Sequence, residues 1–139
     1  MIRKVPISKL MTKHVITLEK ADALEKAERL FKLHKIRHIP VVDNHAIVGI
    51  LSYSDLLRLS FADITDDMDR SADVMVYNML SVGQVMKQNI VTVSPFDSIK
   101  KVAKILATKE FHALPVVDKR VLVGIVTTTD LIKYLLKQL

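Results

Sequence analysis

One pattern occurs twice in this chain, at a fixed spacing and without a gap. Ile39-Pro40-Val41-Val42-Asp43, Val48-Gly49-Ile50 and Asp55-Leu56 are matched by Leu114-Pro115-Val116-Val117-Asp118, Val123-Gly124-Ile125 and Asp130-Leu131, each 75 residues later (40 to 115, 49 to 124, 55 to 130). An ungapped internal repeat means that one supersecondary unit is used twice. It restricts the 139 residues to one domain made of two halves, or to two very small domains that share a core. A groove between the halves is then the first place to seek function.

Each copy has the same order of elements. A short helical turn comes first, with Ser8 as the expected cap of Lys9-Leu10-Met11 and Val82-Gly83-Gln84-Val85-Met86 as its counterpart. The β-branched and apolar runs His14–Leu18 and Asn89–Val93 predict a first strand. Asp22 and Asp97 stand where a helix needs an N-cap. Leu24, Ala27, Leu30 and Phe31 then share one helical face, as do Ile99, Val102, Ile105 and Leu106. These helices should end near Lys35 and Glu110.

Two strands follow, Ile39 to Val42 and Ala46 to Ser52, joined by a hairpin turn at Asp43-Asn44-His45. Their counterparts are Leu114 to Val117 and Val121 to Thr127, joined at Asp118-Lys119-Arg120. A closing helix begins at Ser54-Asp55 and again at Thr129-Asp130. The order is β-α-β-β-α, an α/β (α+β) class. A three-stranded sheet this small buries only one face under its own helices, so two pseudo-symmetric copies packed through their sheets are expected. The boundaries read as residues 1–60 for the first repeat, 61–79 for an acidic, partly helical linker, and 80–139 for the second. The linker carries Asp63, Asp66, Asp67, Asp69 and Asp73. It lacks the central Gly and terminal Glu of an EF-hand loop, and reads as a solvated connection. Val74, Met75, Val76, Met79 and Leu80 should dock its far end on the core.

Composition removes several function classes. With no cysteine, the chain has no disulfide, thiolate metal site or cysteine nucleophile, which fits a cytoplasmic protein. No apolar run is long enough to cross a bilayer, and Met1 to Pro6 has charges without the apolar stretch of a secretory signal. The formal charge of +6 comes from lysines spread along the chain, the pattern of solvated surfaces. Dinucleotide, P-loop and nucleophile-elbow motifs are missing, so the chain reads as a non-enzyme with no required cofactor. His34 and His38 have the four-residue spacing of two metal ligands, but no glutamate follows His34 and the helix should end between them, so no metal site is assigned.

The h-P-V-V-D strand followed by G-I-h-[ST]-x-[ST]-D-L, repeated in register, resembles the cystathionine-β-synthase (CBS) domain, and two in tandem resemble a Bateman module. The resemblance runs from about Val5 to Ser60 and from Leu80 to Leu139. It implies a regulatory sensor of an adenosine-containing ligand: AMP, ADP, ATP or S-adenosylmethionine. It also implies a homodimer of four CBS domains in a disc and a separate, unidentified regulated protein.

The residues themselves suit such a ligand. Asp55, in Ser52-Tyr53-Ser54-Asp55, and Asp130, in Thr127-Thr128-Thr129-Asp130, sit at a helix start after a glycine-led strand. A carboxylate there can accept both hydroxyls of a ribose diol, and each charged hydrogen bond is worth roughly 1.5–3 kcal/mol. The hydroxyls of Ser52, Ser54, Thr127 and Thr129 can reach the ribose or a phosphate, beside the positive end of a helix. The same residues also make sense as N-caps, with Ser54 and Thr129 capping and the aspartates complementing the helix dipole. The family resemblance adds the basic positions before the h-P-V-V strand as phosphate holders: Arg37 and His38 in the first copy, His112 in the second, where Ala113 departs from the pattern. Adenine would need an apolar slot, for which the strand edges around Thr17 and Thr92, and the small Ala27, are candidates. A ligand-free dimerisation module is the alternative function; it would show a groove filled by side chains such as Tyr53. Nucleic-acid binding, suggested by charge and by Lys119-Arg120, lacks stacking aromatics and a clustered basic stripe.

Overall fold

The computed structural model describes residues 4–61, 77–109 and 111–139. A single 3-10 turn, Ile7–Lys9, precedes helix α1 (Leu24–His34), strands β1 (His38–Asp43) and β2 (Ala46–Ser52), and helix α2 (Tyr53–Phe61). The second series is α3 (Val82–Val85), α4 (Ile99–Thr108), β3 (Ala113–Asp118), β4 (Val121–Thr127) and α5 (Thr128–Gln138). β1 pairs with β2 and β3 pairs with β4. Both hairpins turn on two residues with positive φ, Asn44 (49°) and His45 (71°), and Lys119 (50°) and Arg120 (71°). That left-handed pair matches the twist of the flanking strands.

The helices form because their apolar positions recur at helical spacing. Leu24, Ala27 and Phe31 of α1 are buried, as are Val102 and Leu106 of α4. Their caps differ from the sequence expectation. The N-caps are Ala23 and Ser98, not Asp22 and Asp97. Each aspartate closes the preceding turn instead: Glu19 donates its amide to Asp22 Oδ2 at 2.8 Å, and Ser94 donates to Asp97 Oδ2 at 2.8 Å. α1 ends at a left-handed Lys35, whose amide donates to the Phe31 carbonyl. Ser8 does not cap the first turn; Pro6 occupies that position, with no side-chain hydrogen bond.

The expected first strands are reduced to one bridge each. Leu18 donates to the Pro40 carbonyl at 3.0 Å and accepts from Val42 at 2.8 Å, in a parallel bridge to β1. Val93 repeats this against Pro115 and Val117 at 3.1 and 2.8 Å. The residues flanking them are not in strand pairing, so neither sheet gains a full third strand.

The chain divides into two compact units, neither of them continuous in sequence. The first repeat's unit draws its described residues from 16–44 and 48–89, and the second repeat's unit from 1–15, 45–47 and 90–139. The segments that open each repeat are therefore exchanged. Ile7 lies fully buried in the core of the second repeat's unit, with Val93, Val102, Leu106, Leu114, Val116 and Val126. Val82 lies in the core of the first repeat's unit, with Leu18, Leu24, Phe31, Ile39, Val41 and Leu51. Backbone bonds fix both segments: Ile7 N to Asp97 O at 2.7 Å and Ile99 N to Val5 O at 3.0 Å on one side, Val82 N to Asp22 O at 2.8 Å on the other.

The acidic stretch from Asp63 to Asp73, the expected docking of Val74, Met75 and Val76, and the expected helix end at Glu110 lie outside the described residues. Met79 does not dock, being 78% exposed. Leu80 packs against the core of the first repeat's unit as expected, and Tyr77 packs there beside it. The Tyr77 hydroxyl donates to Glu28 Oε2 at 3.2 Å. Burial, and then the charge of Glu28, push its pKa up to about 12.

The closing helices differ. Leu56 of α2 is buried and Leu59 packs on the same core. α5 buries no residue completely, and Ile132, Leu135, Leu136 and Leu139 are exposed. Among the described residues, no helix is long and apolar enough to cross a membrane.

Candidate functional site

In the first repeat's unit the strand-to-helix junction is held by short-range bonds in one direction. β2 ends at Ser52, whose hydroxyl oxygen accepts the Asp55 amide at 3.0 Å. Ser52 is therefore the capping side chain, and Ser54 is exposed and free of that task. Tyr53 donates its amide to the Arg37 carbonyl at 2.8 Å, which ties the approach to β1 to the start of α2. The Tyr53 ring stands against Phe31, with centroids 5.3 Å apart and planes at 59°. It thus packs against the core of its own unit.

Asp55 is the unusual group. Its side chain is only 12% exposed, and Oδ2 is buried without a hydrogen-bond partner among the described residues. Native interiors rarely leave a carboxylate oxygen in that state. Two cations stand just beyond hydrogen-bond range: Arg58 Nη1 is 3.7 Å from Oδ1, and Lys87 Nζ is 3.9 Å from Oδ2. Both cations are mostly exposed. Lys87 is held here by its backbone, which exchanges hydrogen bonds with Ile50 at 3.1 and 2.9 Å. That close approach depends on Gly49. A Cβ at this position would collide with Met86 Sδ and lie 2.9 Å from the Lys87 carbonyl.

The second repeat's unit has the same frame with different satisfaction. Asp130 donates its amide to Thr127 Oγ1 at 3.1 Å, and Thr127 donates back to Asp130 Oδ2 at 2.9 Å. This is a complete capping box, with Thr127 rather than Thr129 as cap. Thr128 donates its amide to the His112 carbonyl at 3.0 Å, the counterpart of the Tyr53–Arg37 bond. Thr12 takes the place of Lys87, bonded to Ile125 at 2.8 and 3.0 Å beside Gly124. No ion pair to Asp130 occurs among the described residues.

The geometry therefore brings Ser52, Asp55 and the Arg37 backbone together in one unit, and Thr127, Asp130 and the His112 backbone in the other. Arg37 and His112 are exposed, His38 is half-buried, and Ala113 is buried at the start of β3. Thr17 and Thr92 are exposed beside the bridging residues Leu18 and Val93. Ala27 is fully buried and belongs to the core, so it forms no slot wall. His34 ends α1 and His38 opens β1, on different elements. No group of three or more His, Asp or Glu side chains placed to hold a metal ion occurs among the described residues. Sequence reasoning missed Arg58 and Lys87. The 75-residue offset pairs Lys87 with Thr12 (12 to 87), a visible difference whose place beside Asp55 only the exchanged segments reveal.

The family model described as the CBS domain matches residues 7–62 and again residues 82–137. Uncharacterized protein MJ1225 of Methanocaldococcus jannaschii is 30% identical over 129 residues, covering 92% of this chain and 46% of that protein. The chain thus spans less than half of that relative's length. The crystal structure of CBSX2 in complex with AMP is similar at a TM-score of 0.79 and 24% identity, over 96% of this chain and 97% of that one. That of the CBS domain pair of protein MJ0100, in complex with 5′-methylthioadenosine and S-adenosyl-L-methionine, is similar at a TM-score of 0.79 and 23% identity, over 99% and 100%. At these identities the two likenesses establish the fold.

Proposed function

The chain belongs to the CBS-domain family as a tandem pair, and from that premise we propose that it is a regulatory, non-catalytic module that binds an adenosine-containing ligand. The observation that carries this reading is Asp55: a nearly buried carboxylate at the start of α2 with one oxygen unsatisfied. Once the side chains over this oxygen shift, a ribose diol supplies the hydrogen bonds that it lacks. Ser52, Ser54, Arg37 and His38 complete the first site. Thr127, Thr129, Asp130 and His112 form the second, with Thr17 and Thr92 at the adenine edges. The solved neighbours that hold AMP, or S-adenosylmethionine with 5′-methylthioadenosine, support the ligand class. AMP, ADP, ATP and S-adenosylmethionine are the compounds to test.

In this reading the module acts in the cytoplasm on a separate protein, because ligand binding shifts the populations of conformations that the partner distinguishes. It also forms a homodimer. The exposed apolar residues Ile132, Leu135 and Leu136 on α5, with Leu139 just past its end, support self-association, and equally support the alternative of a ligand-free dimerisation module. Neither a membrane nor nucleic acid is its partner.

Thermal unfolding with each compound separates the two. A ligand at one hundred times its dissociation constant stabilises a protein by about 2.7 kcal/mol, which raises the midpoint by several degrees. An increase with at least one adenosyl compound is expected. Unchanged midpoints with all of them at millimolar concentration contradict the reading and leave the dimerisation module.

A further inference from the structure

We infer that Lys87 is a specificity-determining residue which makes the Asp55 site select phosphorylated adenosyl ligands over uncharged ones. The inference rests on the adenosyl reading above. The two aspartates occupy equivalent positions and have nearly equivalent backbones. Lys87 is bonded to Ile50 beside Gly49 as Thr12 is bonded to Ile125 beside Gly124. The side chains differ. Asp55 has Lys87 Nζ at 3.9 Å and Arg58 Nη1 at 3.7 Å, whereas Asp130 has no ion pair among the described residues.

A carboxylate that receives a ribose also repels the phosphate attached to it. A cation beside that carboxylate cancels the repulsion and attracts the phosphate. Lys87 is suited to both tasks. Its ammonium is a point charge on a flexible stem, 60% exposed, and too far from Asp55 to be hydrogen-bonded to it. It can turn to the phosphate without breaking a hydrogen bond, while its backbone stays fixed. The same ammonium adds nothing to the recognition of adenosine, which has no charge. The Asp130 site, with Thr12 in this place, lacks the discrimination.

The test is calorimetric titration of the full chain with AMP and with adenosine, at low and at moderate salt. Lys87→Thr installs the residue that the second copy already tolerates, and Lys87→Gln keeps the length without the charge. Both are expected to weaken AMP about five- to tenfold, the scale of one charge pair near 4 Å in a largely aqueous setting, and to leave adenosine within about twofold. They should also flatten the salt dependence of AMP binding, and Lys87→Arg should restore both properties. Thermal melts confirm that each variant is folded. AMP affinity unchanged in both neutral variants overturns the inference, as does an equal loss for AMP and adenosine. If wild type binds AMP and the variants match it, only this inference falls. If wild type binds neither compound, the adenosyl reading falls with it.

Discussion

Thr127 and Asp130 cap each other: the Asp130 amide donates to Thr127 Oγ1 at 3.1 Å, and the Thr127 amide donates to Asp130 Oδ2 at 2.9 Å. Two amides at the start of α5, which helical bonding leaves without partners, are thereby satisfied. Thr127→Ala and Asp130→Ala should each cost about 1 kcal/mol of stability. The double variant should cost less than the sum, since either change breaks the same box. Urea denaturation of the four proteins measures this. Strict additivity would show that the box contributes nothing as a unit.

Gly49 and Gly124 admit the exchanged segments. A Cβ at Gly124 would lie 2.7 Å from Met11 Sδ and 2.9 Å from the Thr12 carbonyl, and Gly49 is equally crowded by Met86 and Lys87. A methionine tip can move, but a backbone carbonyl whose residue is pinned by one accepted and one donated hydrogen bond yields little. Gly49→Ala and Gly124→Ala should therefore destabilise by about 1–3 kcal/mol. Gly83 is the control. Its Cβ would meet Lys20 Cβ at 3.1 Å and the Lys20 carbonyl at 3.2 Å, and alanine favours the helix by about 1 kcal/mol. Gly83→Ala should stay within about 1 kcal/mol of wild type. Equal losses at all three glycines in denaturant titrations would refute the close-approach argument.

Asp97 gives the fold an acid-sensitive contact. The Ser94 amide holds its carboxyl below the usual value of 3.8; burial opposes this in part, and Lys101 at 3.1 Å adds to the lowering. A depressed folded-state pKa contributes stability above the unfolded value and loses it as pH falls through the folded one. Asp97→Ala should cost about 1 kcal/mol at neutral pH. The gap from wild type should hold down to about pH 5 and narrow below pH 4. A gap that widens in acid would reverse the assigned sign.

Much of the architecture is written in local pattern. The hairpins at Asn44-His45 and Lys119-Arg120 follow from apolar strands flanking a polar turn, and the α1 and α4 faces follow from the spacing of Leu24, Ala27 and Phe31 and of Val102 and Leu106. Some local choices were not legible: Asp22 and Asp97 have the chemistry of N-caps, but each is drawn to an amide three residues earlier, leaving Ala23 and Ser98 to start the helices. Nor were features set by distant parts of the chain. The run His14–Leu18 has strand composition, yet only Leu18 finds a partner. Ile7 and Val82 read as members of their own repeats and instead complete each other's cores. At the site, the aspartates and hydroxyls stood out because they are duplicated. Lys87 did not, because its place beside Asp55 depends on the exchange.

The central claim is that Asp55 receives a ribose, and calorimetric titration of AMP into wild type and Asp55→Asn tests it most directly. The substitution keeps the size of the side chain and removes only weak ion pairs, worth about 0–1 kcal/mol of stability, so the variant should remain folded. Wild type should give a saturable isotherm. Asp55→Asn should bind at least about tenfold more weakly, the equivalent of one charged hydrogen bond. Isotherms that superimpose, or a wild type that gives no heat, would contradict the account.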